Sequence, residues 1–358
     1  MTETASTRVH MSGSEWFGSA AGGLNRYFTD LYAALAARED LSVTAAAFGD
    51  PPDGAATWGP VGGSTARRVR AARRDRAARG EPLILDRHFA LYGPPRGRHR
   101  LVVHFHGPWA AESLAAGQSA AAARVKYVVE RVRALRADRF VVLSQHMREL
   151  LATDYRVDPA RVEVIAPGVD VDRFTPAPVA GTEEPIVLCV RRLEHRMGID
   201  VLLRAWRAVA AAHPRARLVV VGTGTAEAVL RAQAEPLGAA VRFTGGVGDG
   251  ELAALYTRAA VTVVPSVALE GFGLIALESL AAGRAPVVTD CGGLPDSVRG
   301  LDPSLIVARG EADALAERLV AALDGKRPDA AACRAHAETF SWAVAAERHA
   351  VLYRELAR

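Results

Sequence analysis

The sequence predicts an α/β protein with two Rossmann-like domains, each built on a doubly wound parallel sheet. Short apolar runs rich in β-branched residues alternate with longer segments of helical periodicity along the chain. This order is typical of parallel sheets covered by helices on both faces. Residues 175–184 contain two prolines and a glycine and show neither pattern, which indicates a linker. We therefore expect domains of similar size, at 1–174 and 175–337, facing each other across a cleft.

The most informative stretch is 261–296. A run of β-branched and other apolar residues at 261–264 predicts a strand that is buried on both faces. A loop that contains Glu270 follows, and apolar positions then recur at helical spacing from Gly273 until Gly283, after which a second strand begins. Because ligands of open parallel sheets bind at the carboxyl ends of the strands, we expect this loop to form part of a ligand site.

The same loop has the features of a site for a phosphate and for hydroxyl groups. Gly271 and Gly273 allow a ligand to approach the backbone closely, and the positive end of the following helix dipole favours an anion. Glu270 and Glu278 would lie about 12 Å apart in a continuous helix, whereas the carboxylates of a glycosidase lie about 5 to 9.5 Å apart. The spacing therefore favours two carboxylates that accept hydrogen bonds from the two ends of one long ligand.

This stretch resembles a known family. The segment Glu-Gly-Phe-Gly-Leu-Ile-Ala-Leu-Glu from Glu270 to Glu278, followed by Gly-Gly-Leu-Pro from Gly292, is similar to the E-x7-E motif of retaining GT-B glycosyltransferases of family 4, the glycosyl transferases group 1. The resemblance implies that Glu270 contacts the donor sugar and that Glu278 binds the ribose of the nucleotide. It also implies that backbone N–H groups contact the sugar and the diphosphate at Gly271, Phe272, Gly273 and Leu274.

A glycine-rich loop near the N-terminus fits the same family. Apolar positions recur at helical spacing from Leu24, so a helix is predicted to begin just after Gly22 and Gly23. The resemblance implies that the backbone of these two glycines approaches the donor diphosphate. A tight turn between a strand and a helix, with no ligand, is the alternative interpretation.

A strand predicted at 101–105 leads directly to His106-Gly-Pro, and the glycine and proline mark the start of a loop. The resemblance implies that His106 lies in the interdomain cleft, near the transferred sugar. A neutral core histidine is the alternative. His104 shares the strand face of His106, as a pair of metal ligands does, but we find no third ligand nearby and expect no metal site.

A loop with three arginines follows the strand predicted at 186–190. Guanidinium groups bind phosphate bidentately and stay charged, so this loop is suited to hold a diphosphate. It resembles the Arg-Leu-x-x-x-Lys-Gly motif of the family, in which Arg192 matches the arginine and Met197 stands in the place of the lysine. We expect Arg196, or else Arg191, to supply the missing positive charge.

Further segments match the family from the middle of the chain to its end. Gly222 follows a predicted strand and is assigned to the nucleotide site, and the resemblance implies that the loop at Val247 lies against the base. Asp170 and Asp172 have the spacing of a D-x-D metal motif, but Pro-Gly-Val-Asp ahead of Phe174 matches the family's domain boundary, so we interpret them as structural. A helix at about 338–358 is expected to cross back to the first domain.

Composition excludes several classes of protein. Half of the 358 residues are hydrophobic and 23% are charged, as in a soluble globular protein. We find no continuous apolar run of about 18 residues and no signal peptide, so we expect a cytoplasmic protein. The three cysteines, Cys189, Cys291 and Cys333, are widely separated, and neither a disulfide framework nor a structural zinc site is expected.

The charge pattern leaves two interpretations open for one arginine-rich segment. The net charge of +4 is consistent with an anionic ligand and does not require nucleic acid as a partner. Seven arginines lie close together: Arg67, Arg68, Arg70, Arg73, Arg74, Arg76 and Arg79. They surround the predicted helix and leave no apolar face, so a solvated surface is expected, with weak peripheral docking on a membrane as the alternative.

Taken together, the residues and the resemblance predict a metal-independent, retaining glycosyltransferase. We expect a UDP- or GDP-sugar as donor, no other cofactor, and a hydroxyl acceptor on a natural product, a polysaccharide or a lipid-linked sugar. The alternatives are a nucleotide-sugar epimerase, a phosphorylase and a non-catalytic nucleotide-sugar binding protein, the last supported by Met197. The sequence leaves open the donor sugar, the acceptor and the oligomeric state.

Overall fold

The computed structural model describes residues 6–20, 22–77, 83–89, 91–115, 117–134, 136–176 and 184–358. The chain forms two compact units, which we call unit 1 (1–168 with 342–358) and unit 2 (169–341). The predicted boundaries differ from these by a few residues. The first was predicted after 174 and lies after 168, and the second was predicted after 337 and lies after 341. Most of the predicted linker, 177–183, and Arg79 of the basic run lie outside the described residues.

Unit 1 is a parallel sheet with helices, as predicted. Its strands are β1 (Thr7–Glu15), β2 (Leu41–Phe48), β3 (Ala56–Thr57), β4 (Ile84–Arg87), β5 (Arg100–His104), β6 (Arg139–Val142) and β7 (Val162–Val164). Its helices are α1 (Gly23–Ala36), α2 (Thr65–Arg73), α3 (Trp109–Ala115), α4 (Ala120–Ala134), α5 (Gln145–Thr153) and, from the end of the chain, α12 (Trp342–Ala357). The seven strands lie in the order β3-β2-β1-β4-β5-β6-β7.

Unit 2 repeats this architecture. Its strands are β8 (Ile186–Val190), β9 (Arg217–Val221), β10 (Val241–Gly245), β11 (Ala259–Val264), β12 (Pro286–Thr289) and β13 (Ile306–Val307). Its helices are α6 (Ile199–Ala212), α7 (Glu227–Ala234), α8 (Asp249–Arg258), α9 (Leu274–Ala281), α10 (Ala312–Leu323) and α11 (Ala330–Glu338). The strand order is β10-β9-β8-β11-β12-β13, so the direction of winding reverses between β8 and β11.

The hydrophobic pattern explains these elements. All six residues of β11 are buried, as expected for a central strand covered on both faces. Helix α1 begins directly after Gly22 and buries Tyr27, Phe28, Leu31 and Leu35, which confirms the predicted apolar face. Ser144 caps α5, because its Oγ accepts the Met147 N–H at 3.4 Å. Among the helices that the structure describes, none has the length and apolar composition to cross a bilayer.

The last helix of the chain begins a few residues after the predicted start at about 338. Helix α11 ends at Glu338 and α12 begins at Trp342. Between them, the Val169 N–H donates to the Phe340 carbonyl at 2.8 Å, and Val169 forms a parallel β-bridge with Ser341. This extended backbone cannot belong to a helix, so α12 begins only at Trp342. Helix α12 packs in unit 1 against α1 and β1, which confirms the predicted return to the first domain.

The basic run is only partly a solvated surface. Arg67, Arg70 and Arg73 of α2 are exposed. Arg68 instead donates to Glu15 at 2.8 Å, and its guanidinium lies 4.3 Å from the centroid of the Phe48 ring. One arginine of the run therefore belongs to the fold of unit 1.

A buried carboxylate connects α12 to the sheet of unit 1. Asp86 in β4 accepts a hydrogen bond from the Tyr353 hydroxyl at 2.5 Å, and its oxygens lie 3.3 Å from His88 Nε2 and 2.9 Å from His104 Nε2. Burial opposes the charge of Asp86, but the two histidines hold its pKa well below the usual value. Burial also lowers the pKa of His104 and of His349 to about 4, so both are neutral at pH 7.

We expect the stability of unit 1 to fall as the pH decreases from about 6.5 to about 4. The unfolded chain protonates His104 and His349 near pH 6.5, whereas the folded chain resists protonation until about pH 4. Each histidine should reduce the free energy of unfolding by about 2 kcal/mol between pH 7 and pH 5. Urea unfolding at pH 7 and at pH 5 measures this change. A hydrogen-exchange pulse, applied at one fixed pH after the urea incubation, then reports the unfolding of β4 and β5.

The matched variant is His349→Leu, which removes one of the buried histidines of unit 1 whose pKa is lowered; burial lowers the pKa of His106 as well. It should reduce the difference in unfolding free energy between the two pH values by about 2 kcal/mol, the contribution of His349 alone. A pH dependence equal to that of the unchanged chain would contradict this explanation.

Candidate functional site

The candidate site lies in unit 2, where the winding of the sheet reverses. Strands β8 and β11 are parallel neighbours, and the loops that follow them run to opposite faces of a doubly wound sheet. Such a reversal leaves a crevice at the carboxyl ends of the two strands, where ligands of these folds bind. The loops after β8 and β11 carry Arg192, Arg196 and the segment 270–273, which the sequence predicts for the donor site.

A buried ion pair joins these two loops. Arg191 follows β8 directly and is only 7% exposed. Its Nη2 donates to Glu270 Oε2 and to Ser266 Oγ, and Ser266 Oγ in turn donates to Glu270 Oε2 at 3.1 Å. Burial would raise the pKa of Glu270, but the positive charge of Arg191 lowers it below its usual value. Glu270 is therefore an ionised carboxylate held from one side.

Backbone contacts hold the two loops in register. The Val267 N–H donates to the Arg196 carbonyl at 3.0 Å, and Arg196 Nη1 donates to the Leu269 carbonyl at 3.0 Å. Leu269 has a φ of 57°, a left-handed conformation that costs a residue with a side chain about 1–3 kcal/mol. The residue that precedes Glu270 is thus strained, and Arg196 helps to keep it in place.

Two glycines allow neighbouring loops to approach this pair. A Cβ atom at Gly222 would lie 2.0 Å from the Arg191 carbonyl oxygen, and one at Gly292 would lie 2.1 Å from the Glu270 carbonyl oxygen. Both glycines also have positive φ values, 132° and 57°. Any side chain at either position would push the backbone of Arg191 or Glu270 away. Gly222, which the sequence assigns to nucleotide binding, has this structural role.

The helix that follows Glu270 begins at the same edge of the sheet. Gly273 adopts a left-handed conformation and precedes Leu274, the first residue of α9. Phe272 is buried, and its ring lies 5.7 Å from that of Phe340. The first N–H groups of a helix have no partner within the helix, and they carry the positive end of its dipole. This segment, with Gly271, is therefore suited to an anion.

Glu278 lies on the second turn of α9 and is 8% exposed. Its Oε2 accepts a hydrogen bond from the Tyr256 hydroxyl at 2.9 Å. Burial raises the pKa of Tyr256 well above its usual value, so this hydroxyl remains a donor. The second carboxylate of the E-x7-E motif is thus oriented by a tyrosine of α8.

The arginine loop differs from its expected arrangement. Met197 is buried in the hydrophobic core of unit 2, so its side chain does not occupy a phosphate-binding position. Arg191, one of the two residues expected to supply the missing charge, is already paired with Glu270. Arg192 is exposed and Arg196 is half-buried, and they are the remaining cations of this loop. Val247, in the loop between β10 and α8, is half-buried.

The other predicted residues, Gly22, Gly23 and His106, lie in unit 1. Gly22 precedes α1 and Gly23 is its first residue. His106 follows β5, and its Nε2 is buried with no hydrogen-bond partner among the described residues. Burial lowers the pKa of His106 well below its usual value, so its ring is neutral.

The expectation that no third ligand lies near His104 and His106 is wrong. His88, which the sequence analysis missed, joins them, and one side-chain nitrogen of each lies within 4.8 Å of the others. Their rings are nearly parallel, with interplanar angles of 22° to 27°. The three rings are packed against one another in unit 1.

Ser266, Leu269 and Tyr256 were missed by the sequence analysis, and Arg191 was predicted in a different role. Ser266 and Leu269 lie in the same loop as Glu270. Because Ser266 is a polar residue close to Glu270 in the sequence, its position could have indicated its role. Tyr256 lies 22 positions from Glu278 in a segment without a motif. Nothing in the sequence indicates that contact.

We expect Arg191→Met to lower the free energy of unfolding by about 3 kcal/mol, because it leaves the buried Glu270 carboxylate without its cation. The double variant Arg191→Met/Glu270→Gln should recover at least half of this loss, since neither charge remains. Chemical unfolding of the chain measures both. The control is Arg217→Met, which removes an exposed ion pair with Glu184 and should change stability by less than about 1 kcal/mol. Equal losses in the single and double variants would contradict the pairing.

Both halves of the chain match known families of glycosyltransferases. Residues 170–340 match the family described as glycosyl transferases group 1, and residues 21–173 match glycosyltransferase family 4. A D-inositol 3-phosphate glycosyltransferase of Mycobacterium avium is 36% identical over 225 residues, which are 58% of this chain and 52% of that protein. A GDP-mannose-dependent alpha-(1-6)-phosphatidylinositol monomannoside mannosyltransferase of Mycobacterium tuberculosis is 36% identical over 182 residues, 45% of this chain and 47% of that one. The matches thus span about half the length of these relatives.

Solved structures agree on the fold. Sucrose-phosphate synthase from Thermosynechococcus elongatus superposes with a TM-score of 0.80 at 23% identity, covering 98% of this chain and 99% of that chain. Anabaena HepE in complex with UDP-glucose gives a TM-score of 0.72 at 18% identity, over 97% of this chain and 99% of that one. The two family models meet without a gap between 21 and 340, and the motif at Glu270 lies within the second. The chain belongs to the GT-B glycosyltransferases of group 1.

Proposed function

We propose that this protein is a retaining glycosyltransferase that moves a sugar from a UDP- or GDP-sugar to an acceptor hydroxyl without a metal ion. One observation supports this function above the others. An ionised carboxylate, Glu270, is fixed by Arg191 beside the start of α9, at the point where the sheet of unit 2 reverses its winding. This arrangement combines an acceptor for hydroxyl groups with a donor surface for phosphate.

The diphosphate of the donor is held by cations and by the helix. Arg192 and Arg196 lie in the loop after β8, and α9 begins in the loop after the neighbouring strand β11. Guanidinium groups and the N–H groups at a helix start both favour phosphate oxygens. These groups provide the charge that Mg²⁺ supplies in other transferases, so the proposal needs no metal.

The donor sugar and the ribose are held by the two carboxylates. Arg191 and Ser266 both contact Oε2 of Glu270, which directs its Oε1 to the hydroxyl groups of the sugar. Glu278 accepts a hydrogen bond from Tyr256 and, being an acceptor with two oxygens, also accepts one from a ribose hydroxyl. Val247 lies near the base in this arrangement, by its resemblance to the family.

The arrangement favours front-face displacement over a covalent intermediate on Glu270. The bond between the anomeric carbon and the diphosphate oxygen breaks, and its electron pair stays on the diphosphate, which the arginines and α9 stabilise. The acceptor oxygen bonds to the anomeric carbon on the same face, and its proton moves to a diphosphate oxygen. Glu270 is a weaker nucleophile than an ordinary carboxylate, because the positive charge of Arg191 lowers its pKa and so its basicity.

The relatives narrow the substrates to be tested. One is named as a GDP-mannose-dependent mannosyltransferase that acts on a phosphatidylinositol monomannoside, others as D-inositol 3-phosphate glycosyltransferases, and a structural neighbour was solved with UDP-glucose. UDP-glucose and GDP-mannose are therefore the first donors to test, with inositol phosphates and lipid-linked sugars among the acceptors. The roles of Gly22, Gly23 and His106 rest on the resemblance alone.

A non-catalytic nucleotide-sugar binding protein is the second candidate. Met197 favours it, because this residue stands in the place of the lysine of the family motif and is buried in the core of unit 2. Such a protein would bind the donor and release neither free sugar nor a glycosylated product over a broad panel of acceptors.

We expect Arg192→Ala and Arg196→Ala each to weaken binding of UDP or GDP about 10- to 100-fold, because each removes a charge-assisted contact with the diphosphate. Isothermal titration measures the dissociation constants. The control is Arg204→Ala on α6, an exposed arginine paired with Asp200, which should bind as the unchanged chain does. Unchanged affinity in both test variants would remove these residues from the donor site.

We expect Glu270→Gln to reduce the rate of transfer about 100-fold or more while donor affinity changes less than tenfold, because the carboxylate orients the sugar and does not hold the diphosphate. Nuclear magnetic resonance of the product should show the anomeric configuration of the donor. A product of inverted configuration would contradict front-face displacement.

A further inference from the structure

The two ends of unit 2 lie side by side. The Val169 N–H donates to the Phe340 carbonyl at 2.8 Å, and Val169 forms a parallel β-bridge with Ser341. We call residues 169–174 the entry segment of unit 2 and residues 339–341 its exit segment. Each segment carries one phenylalanine, and the ring of each packs on an aromatic residue that belongs to the proposed donor site or orients part of it.

The phenylalanine of the entry segment, Phe174, meets the ring of Tyr256 edge on. The two ring centroids are 5.5 Å apart at an interplanar angle of 88°, and both side chains are buried. An edge-to-face contact between aromatic rings favours one relative orientation. Because the Tyr256 hydroxyl donates to Glu278 Oε2 at 2.9 Å, the ring of Phe174 helps to direct the hydrogen bond that orients this carboxylate.

One arginine joins the entry segment to helix α9. Arg334 lies on α11, and its Nη1 lies 2.7 Å from the Val171 carbonyl oxygen and 3.0 Å from that of Phe174. The same nitrogen lies 3.3 Å from the carbonyl oxygen of Ala281, the last residue of α9. Since the guanidinium group is planar and rigid, it fixes Phe174 relative to the helix that carries Glu278.

The phenylalanine of the exit segment, Phe340, supports the other part of the motif. Its ring lies 5.7 Å from that of Phe272, which stands between Glu270 and the start of α9. Phe340 is held in turn by His336, whose ring lies 5.3 Å from it and whose Nε2 lies 3.0 Å from the Ser297 carbonyl oxygen. The exit segment therefore restrains the loop that carries Glu270.

We propose that Phe174 and Phe340 are positioning residues of the donor site. Phe174 acts through Tyr256 on the carboxylate that binds the ribose, and Phe340 acts through Phe272 on the loop that binds the donor sugar. This inference rests on the proposed function, because it assigns the two carboxylates to two parts of one nucleotide-sugar. Since the two supports are separate, loss of each ring should affect a different property of the enzyme.

Ordinary core packing is the competing explanation for both rings. A residue that only fills space lowers the free energy of unfolding when it is shortened, and it has no reason to affect nucleotide affinity and turnover differently. Positioning predicts that one variant changes affinity and the other changes rate. This crossed pattern separates the two explanations.

We expect Phe174→Leu to raise the dissociation constant of UDP or GDP about tenfold and to leave turnover at saturating donor within about threefold, because the ribose carboxylate loses its orientation. Phe340→Leu should leave that dissociation constant within about threefold and lower turnover about tenfold, because the sugar is misplaced. The ring-retaining variant Phe340→Tyr should restore most of the turnover. Isothermal titration and turnover of UDP-glucose or GDP-mannose measure these changes.

Tyr256→Phe tests the path from Phe174 to Glu278, because it keeps the ring and removes the hydroxyl. It should itself weaken nucleotide binding, and Phe174→Leu added to it should weaken binding by less than about twofold more. The control is Leu319→Val on α10, a residue buried in the core of unit 2. It should lower stability and leave nucleotide affinity and turnover unchanged.

Three results would overturn the inference while the proposed function stands. They are unchanged affinity in Phe174→Leu with unchanged turnover in Phe340→Leu, equal losses of affinity and turnover in both variants, and additive effects of Phe174→Leu and Tyr256→Phe on nucleotide binding. An unchanged chain that binds neither UDP nor GDP would overturn the proposed function and this inference with it. Circular dichroism verifies that each variant is folded.

Discussion

The structure of unit 2 depends on one buried ion pair, between Arg191 and Glu270. The arginine follows β8 and the glutamate follows β11, and these are the two strands between which the sheet reverses its winding. Two charges in a poorly hydrated position are stable only when each compensates the other and further hydrogen bonds complete their shells. Ser266 supplies one of these bonds. The pair thus places one fixed, ionised carboxylate in the open crevice that is a general property of the fold.

The surroundings of the pair resist any other arrangement. Arg196 donates a hydrogen bond to the strained backbone of Leu269. At Gly222 and Gly292, the absence of a side chain allows the carbonyl groups of Arg191 and Glu270 to approach closely. Strain held in this way aims a functional group before the ligand arrives, so less ordering is needed on binding. The first carboxylate of the motif is preorganised by its neighbours, and the second by Tyr256.

Local sequence patterns predicted most of the fold. The features that could not be predicted depend on contacts between residues that are distant in the sequence. The strand, loop and helix around Glu270 follow from apolar spacing and glycine, because those signals act within a few residues. Between α11 and α12, Phe340 and Ser341 pair with Val169, and no local signal indicates a partner so far away in the chain. His88 joins His104 and His106 for the same reason, since β4 and β5 are neighbours only in the folded sheet. The motif identified Glu270 and Glu278, whereas their partners Arg191 and Tyr256 required the fold.

The most direct test is a crystal structure of the full chain grown with UDP or GDP. The account predicts that the diphosphate lies within hydrogen-bonding distance of Arg192 or Arg196 and of the first N–H groups of α9, with Glu278 on the ribose. Arg191 should remain paired with Glu270, whose Oε1 faces the place of the sugar. A nucleotide bound away from the carboxyl ends of β8 and β11, or an Arg191 that leaves Glu270 to bind the phosphate itself, would contradict the central claim.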